Sequence, residues 1–189
     1  MKQGDFTELA KHYSTRPDYS KSILKSILGL LDKPLSSIKF VDIGAGTGIW
    51  TRMVAEKEVN DVTAIEPNDE MRLVGEHDSI GYPIKWMKGS AEQTNLINNS
   101  VDWVTMASSF HWTDFKQSTH EFHRILKNKG IFTAIWNTRL LEMNPLLLEI
   151  ENHIKLLKPN IIRVSSGSSG ITKDLTERFY RSNLFEDIV

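Results

Sequence analysis

A β-branched apolar run that breaks into glycines constrains this chain more than any other stretch: Ile38-Lys39-Phe40-Val41-Asp42-Ile43, then Gly44-Ala45-Gly46-Thr47-Gly48. A short apolar run of this kind reads as a buried strand. Glycines at its end let the backbone turn and approach a ligand with no Cβ in the way. Ile49 to Lys57 follows with helical patterning, and a helix N-terminus at that place offers free N–H groups. The same strand, turn and helix could also be a tight βα turn of purely structural use, so the rest of the chain must decide.

The rhythm continues. Asp61–Glu66, Ile84–Met87, Val101–Met106 and Ile131–Trp136 read as four further strands. Pro67-Asn68-Asp69 stops the second strand, and Asn68 can cap a helix with acidic Asp69 and Glu70 in its first turn. Residues 113–127 read as a helix closed by Asn128-Lys129-Gly130 as a glycine C-cap. Residues 5–32 look helical, with Ile23, Leu24, Ile27, Leu28, Leu30 and Leu31 as the buried stripe. Asn144-Pro145 opens a helix to about Lys158, and another lies near 173–182. Ser165-Ser166-Gly167-Ser168-Ser169-Gly170 reads as a mobile loop. Strands alternating with helices imply right-handed crossovers and an α/β, doubly wound, mostly parallel sheet.

Charge and composition narrow the partners. Lys plus Arg total 23 against 24 for Asp plus Glu, so no overall field draws in nucleic acid or anionic membrane. With no cysteine, disulfides, thiolate metal sites and cysteine nucleophiles are excluded. No stretch approaches the roughly 18 apolar residues of a membrane span, and the polar start carries no signal core. The expectation is a cytoplasmic protein with no nucleic acid or membrane partner.

An adenosine-containing ligand fits the glycine turn. In a dinucleotide fingerprint G-x-G-x-x-G counted from Gly44, the third glycine would fall at Ile49, whereas the chain reads G-x-G-x-G. Glu66 stands at the end of the second strand, where a carboxylate can accept both ribose hydroxyls of an adenosine.

Several segments in order resemble the class I S-adenosylmethionine-dependent methyltransferases. Asp42 to Gly48 looks like motif I, and Ala64-Ile65-Glu66-Pro67-Asn68-Asp69-Glu70-Met71 resembles the acidic second-strand motif. Gly89-Ser90-Ala91-Glu92-Gln93-Thr94 is similar to the segment beside the adenine. Val101–Thr105 with Ala107-Ser108-Ser109-Phe110-His111-Trp112 matches the fourth strand and its loop, and His123–Gly130 the element before the fifth. Tyr13-Ser14-Thr15-Arg16-Pro17-Asp18-Tyr19 is similar to the N-terminal element of small-molecule methyltransferases related to trans-aconitate methyltransferase.

The resemblance implies S-adenosylmethionine as cofactor and an enzyme transferring its methyl group to a small-molecule O-, N- or C-nucleophile. The alternative is a weak or inactive cofactor-binding domain acting as sensor or partner subunit. The implied cofactor residues are Tyr13, Arg16, Asp42, Gly44, Ala45, Gly46, Thr47, Gly48, Glu66, Pro67, Met71, Ser90, Ala91, Glu92, Ala107 and Ser108. His111, at the mouth of strand four, is the one candidate general base, its ordinary pKa of about 6.5 suiting proton removal. A His-Trp pair here also builds the pocket in the resembling family. No catalytic metal is expected, because Met106-Ala107-Ser108-Ser109 carries no carboxylate.

The expected organisation is a single methyltransferase domain over 1–189, with a helical cap at 1–35, a cofactor core at 36–137 and a helical substrate cap at 138–189. The resembling sheet has seven strands ending in an antiparallel hairpin. Leu184–Val189 reads as the start of the sixth, and no stretch reads as the seventh, so the hairpin looks incomplete. A truncated gene product, or a second copy covering the strand-five edge as a homodimer, would account for this.

Overall fold

The computed structural model describes residues 6–13, 15–137, 143–161 and 174–189. The expected loop at 165–170 lies outside them. Five strands, β1 (Lys39–Ile43), β2 (Asp61–Ile65), β3 (Ile84–Met87), β4 (Val101–Ala107) and β5 (Leu126–Ile135), form one sheet in the order β3-β2-β1-β4-β5. Every neighbouring pair is parallel. The order reverses between β1 and β4, so the connections leaving these two strands run to opposite sides of the sheet and leave a crevice, the place where open α/β sheets bind ligands.

Among the described residues, seven helices accompany the sheet: α1 (Ala10–Tyr13), α2 (Lys21–Leu28), α3 (Ile49–Ala55), α4 (Asp69–Asp78), α5 (Phe115–Ile125), α6 (Pro145–Leu157) and α7 (Leu175–Ser182). Asn68, Asp114 and Asn144 cap α4, α5 and α6 by accepting from the N–H groups of Met71, Gln117 and Leu147.

Strand alternation divides the core in two. Phe40, Val62 and Trp103 face one way and pack with Leu24 and Ile27 of α2 and Met53 and Val54 of α3. Val41, Ile43, Val104 and Met106 face the other and pack with Phe122 and Ile125 of α5 and Phe179 of α7. Both sheet faces are therefore buried, which is why the strands carry little polarity.

Three expectations are corrected. Among the described residues of 5–32 the chain is not one helix: Thr7–Leu9 is a 3-10 turn, only α1 and α2 are α-helical, and Ile23 and Leu30 are exposed while Leu24 and Ile27 carry the burial. The helix expected at 113–127 ends at Ile125 with no glycine cap; Leu126 already pairs with Val101. The next pair is Trp103 with Ile131, so residues 127–130 bulge out of β5, and Lys129 takes the left-handed conformation at φ 62°. Leu184–Val189 is not a strand, since Asn183 and Asp187 are also left-handed, at φ 53° and 50°, which no extended run tolerates. Instead Phe185 and Ile188 pack on the Phe179 side of the core. Among the described residues, no strand pairs with the outer edge of β5.

Gly75 of α4 matters for packing. A Cβ there would sit 2.2 Å from the Trp86 ring of β3. Gly75→Ala would gain about 1 kcal/mol of helix propensity, but overpacking costs about 1–3 kcal/mol. The expected net effect is a lower urea midpoint with unchanged m, and combining it with Trp86→Leu should cost less than the two changes summed.

Candidate active site

A cavity of about 540 Å³ opens over the carboxyl ends of β1, β2 and β4, at the switch point. Its floor is the glycine turn. Gly44 and Gly46 stand at φ 66° and 59°, a conformation that carries a cost for side chains, and a Cβ on Gly44 would lie 2.7 Å from Ser109 Cβ. The turn is tied to β2 from both sides. The N–H groups of Gly44 and Ala45 donate to the Ile65 carbonyl, and that of Gly46 donates to Glu66 Oε2 at 2.8 Å.

Glu66 forms one wall and is buried. Its other oxygen, Oε1, accepts from Asn68 N–H at 2.9 Å. Burial pushes its carboxyl above the usual range, against the pull of the Asn68 and Gly46 amides and of Arg72. Each oxygen has accepted one N–H and keeps a lone pair. Pro67 and Met71 continue the same wall, with Ser90, Ala91 and Glu92 beside them from the loop after β3.

Beneath the floor lies Asp42. Thr51 Oγ1 of α3 donates to its Oδ2 at 2.6 Å, and Thr105 Oγ1 of β4 to its Oδ1 at 3.0 Å. Thr105 Oγ1 in turn accepts from Trp50 Nε1 at 3.1 Å. Complete burial raises the Asp42 carboxyl to about 7, with the two threonines opposing and Glu66 adding to the rise.

The opposite end is aromatic, with the guanidinium of Arg16. Tyr19 O–H donates to Ser108 Oγ at 2.9 Å, and its ring meets Trp50 edge-on at 5.5 Å. Burial pushes the Tyr19 phenol up to about 12. Phe6 bridges Tyr13 and Trp112, with ring centroids 5.6 and 6.1 Å apart, so the N-terminal segment lies across the mouth. Arg16 sits over the Tyr13 ring and donates to its hydroxyl. Ser108 holds a left-handed backbone, φ 55°, with its N–H on the Ile135 carbonyl at 2.8 Å; strain of this kind collects at functional sites.

Of the residues expected at the site, Tyr13, Arg16, Gly44, Ala45, Gly46, Thr47, Glu66, Pro67, Met71, Ser90, Ala91, Glu92, Ala107 and Ser108 all line this one cavity. Asp42 and Gly48 do not: Asp42 is the brace under the floor, and Gly48 starts α3 against the Trp86 ring. His111 is also outside the lining, with its Nδ1 accepting from Trp136 Nε1 at 3.1 Å. Burial lowers its pKa. Sequence reasoning missed Tyr19, Ser109, Trp112 and Asn137 as lining residues. Tyr19 and Trp112 lay inside motif segments, whereas Asn137, past the end of β5, gave no signal of its own.

The family profile described as a methyltransferase domain matches residues 41–134, from β1 into β5. An uncharacterized methyltransferase of Mycobacterium tuberculosis is 33% identical over 124 residues, covering 66% of this chain and 48% of that protein. The chain belongs to the class I S-adenosylmethionine-dependent methyltransferases. It spans about half the length of the curated relatives it matches. Among solved structures it is similar to the YcgJ protein of Bacillus subtilis, with TM-score 0.59 and 22% identity, covering 86% of this chain and 68% of that one. It also shares the fold of the geranyl diphosphate C-methyltransferase of Streptomyces coelicolor, solved with S-adenosyl-L-homocysteine. There the TM-score is 0.55 and the identity 14%, covering 71% of this chain and 53% of that one. No helix among the described residues is long and apolar enough to cross a membrane.

The Asp42 brace makes a pH signature. Its carboxyl rises from 3.8 to about 7 on folding, so within that window the folded chain holds a proton that the unfolded chain has released. Stability therefore falls as pH rises through the window. Asp42→Asn should remove this contribution, so that the wild-type-minus-variant difference in unfolding free energy changes between pH 5 and pH 8. An unchanged difference would refute a raised Asp42.

Proposed function

We propose that this chain transfers a methyl group from S-adenosylmethionine to a small-molecule acceptor, releasing S-adenosylhomocysteine. The observation that carries this reading is Glu66: a buried carboxylate at the end of β2, tied to the glycine turn at Gly46, with a free lone pair on each oxygen inside the cavity. The residues fit the cofactor. Thr47 Oγ1 is buried in the lining without a hydrogen-bond partner, and the glycine turn leaves room where side chains would stand.

In this reading Glu66 holds the ribose hydroxyls, and Met71, Ala91 and Glu92 frame the adenine. The turn from Gly44 to Thr47 receives the methionine portion, and Tyr13 and Arg16 meet its carboxylate. The bound sulfonium supplies an electrophilic methyl group. The protein's part is alignment and exclusion of water, with Phe6, Tyr13 and Trp112 closing the mouth. No histidine or lysine stands among the described lining residues, and Tyr19 keeps its proton near neutral pH. The segment 1–35 serves as the cap on the cofactor side of the core 36–137, and 138–189 as the acceptor cap. A cavity of about 540 Å³ is of the size that takes small molecules.

Calorimetry on the chain with S-adenosylmethionine, S-adenosylhomocysteine and NAD tests the ligand, and a methyl-transfer screen over small carboxylic acids, phenols and amines, read by product mass, tests the reaction. Both adenosylated sulfur compounds should bind, and Glu66→Ala should weaken them about 10- to 100-fold, the value of charge-assisted hydrogen bonds. Binding of NAD alone would overturn the proposal.

His111 acts here as a positioning residue for Trp136 rather than as the base. His111→Ala should lower stability by about 1 kcal/mol and turnover less than tenfold. A general base would cost about 10²- to 10⁴-fold, so a fall of that size with unchanged cofactor affinity would restore the catalytic role.

A further inference from the structure

The loop after β3 carries Ser90, Ala91 and Glu92 into the cavity wall, yet it has little regular structure to hold it there. Its internal bonds include a turn in which Ser90 and Gln93 exchange backbone hydrogen bonds at 3.0 and 3.3 Å, and long contacts from Asn95 Nδ2 to the Lys88 carbonyl and from Leu96 N–H to Thr94 Oγ1, at 3.4 and 3.3 Å. Two carboxylates tie the rest to α5. Glu92 Oε1 accepts from the N–H of Asp114, the cap residue of α5, at 2.9 Å. Glu121, from the middle of α5, accepts both from Thr94 N–H at 2.9 Å and from Thr94 Oγ1 at 2.5 Å.

Glu121 is itself fixed. Arg124, one turn further along, forks onto it with Nε to Oε2 and Nη2 to Oε1, both at 2.7 Å. The third arm, Nη1, reaches Asn98 Oδ1 at 2.6 Å, near the far end of the loop. Thr94 is fully buried, and the Glu121 side chain is largely so. Burial pushes the Glu121 carboxyl up, but Arg124 and Thr94 together bring it below its ordinary value. The clamp therefore stays charged at neutral pH.

We propose that Glu121, locked by Arg124, is a positioning residue for the cavity wall: it holds Thr94, and through Thr94 it sets where Ala91 and Glu92 stand against the adenine of the cofactor. It touches no ligand and acts only through the loop. This inference rests on the cofactor reading above. It assigns adenosine affinity to a residue outside the cavity, in a helix that presents no lining side chain except through its fixed loop contacts.

The test has two arms on the intact chain. In the ligand-free protein, Glu121→Ala should speed amide hydrogen exchange at residues 90–95 at least tenfold and leave β1 and β4 protected. In the second arm, the same variant should bind S-adenosylhomocysteine about tenfold more weakly. If methyl transfer is measured, the KM for S-adenosylmethionine should rise with kcat held. Glu121→Gln, which can still accept from Thr94 but loses the ion pair, should fall between wild type and Glu121→Ala in both arms, and it covers the case in which Glu121→Ala does not fold. Unchanged exchange at 90–95, or faster exchange with unchanged affinity, overturns the proposal. Failure of the wild-type chain to bind S-adenosylhomocysteine overturns the cofactor reading and this inference with it, an outcome distinct from a change in the variants alone.

Discussion

The carboxylate of Asp42 lies at the one point where β1, α3 and β4 meet, and it accepts a hydroxyl from each of the two neighbouring elements. The connections that leave β1 and β4 part to opposite sides of the sheet at the switch point, and the Asp42 carboxylate ties α3 to β4 beneath the turn. Two hydrogen bonds, 2.6 Å from Thr51 and 3.0 Å from Thr105, do this, and Trp50, held on Thr105, carries the same order to the cavity wall. Burying a carboxylate here is costly, which its rise to about 7 reflects. The arrangement persists because the hydroxyls satisfy both oxygens, leaving no buried acceptor without a donor.

The sheet was legible because buried parallel strands write themselves as apolar runs and because glycine turns punctuate them. The five strand positions follow from that alone. Legibility failed where a single residue's backbone conformation decides the outcome. Lys129, not Gly130, takes the left-handed position, so the chain passes from α5 into a bulged β5 with no cap between. Asn183 and Asp187 break a run that otherwise looks like a strand. At the N-terminus, apolar spacing at Ile23 and Leu30 promised a wide buried stripe, but α2 is too short to bury more than its Leu24 and Ile27 side.

The site divides the same way. Residues of the glycine turn and the end of β2 could be placed in the cavity because a local motif fixes both their conformation and their surroundings. Tyr19 and Asn137 could not. They reach the cavity from the segment before α2 and the end of β5, 118 positions apart in the chain, and only the finished topology brings them to one wall. Asp42 and Gly48 show the converse: a motif marks them, but their work is bracing and packing behind the surface that a ligand would meet.

Glu66 and Glu121 show how one side chain type is set to two tasks by its partners. Glu121 Oε1 accepts three donors, the two of Thr94 and one of Arg124, and its Oε2 takes another from Arg124. Oε1 is saturated, and the guanidinium keeps the group charged. Glu66 has a backbone N–H on each oxygen and no side-chain cation on its carboxylate, so burial raises its pKa instead of a partner lowering it. A carboxylate meant to receive ligand hydroxyls must keep acceptor capacity in reserve, and a bidentate arginine would consume it. The wall and the ligand-facing group therefore need opposite environments, and the chain supplies them from α5 and from the end of β2.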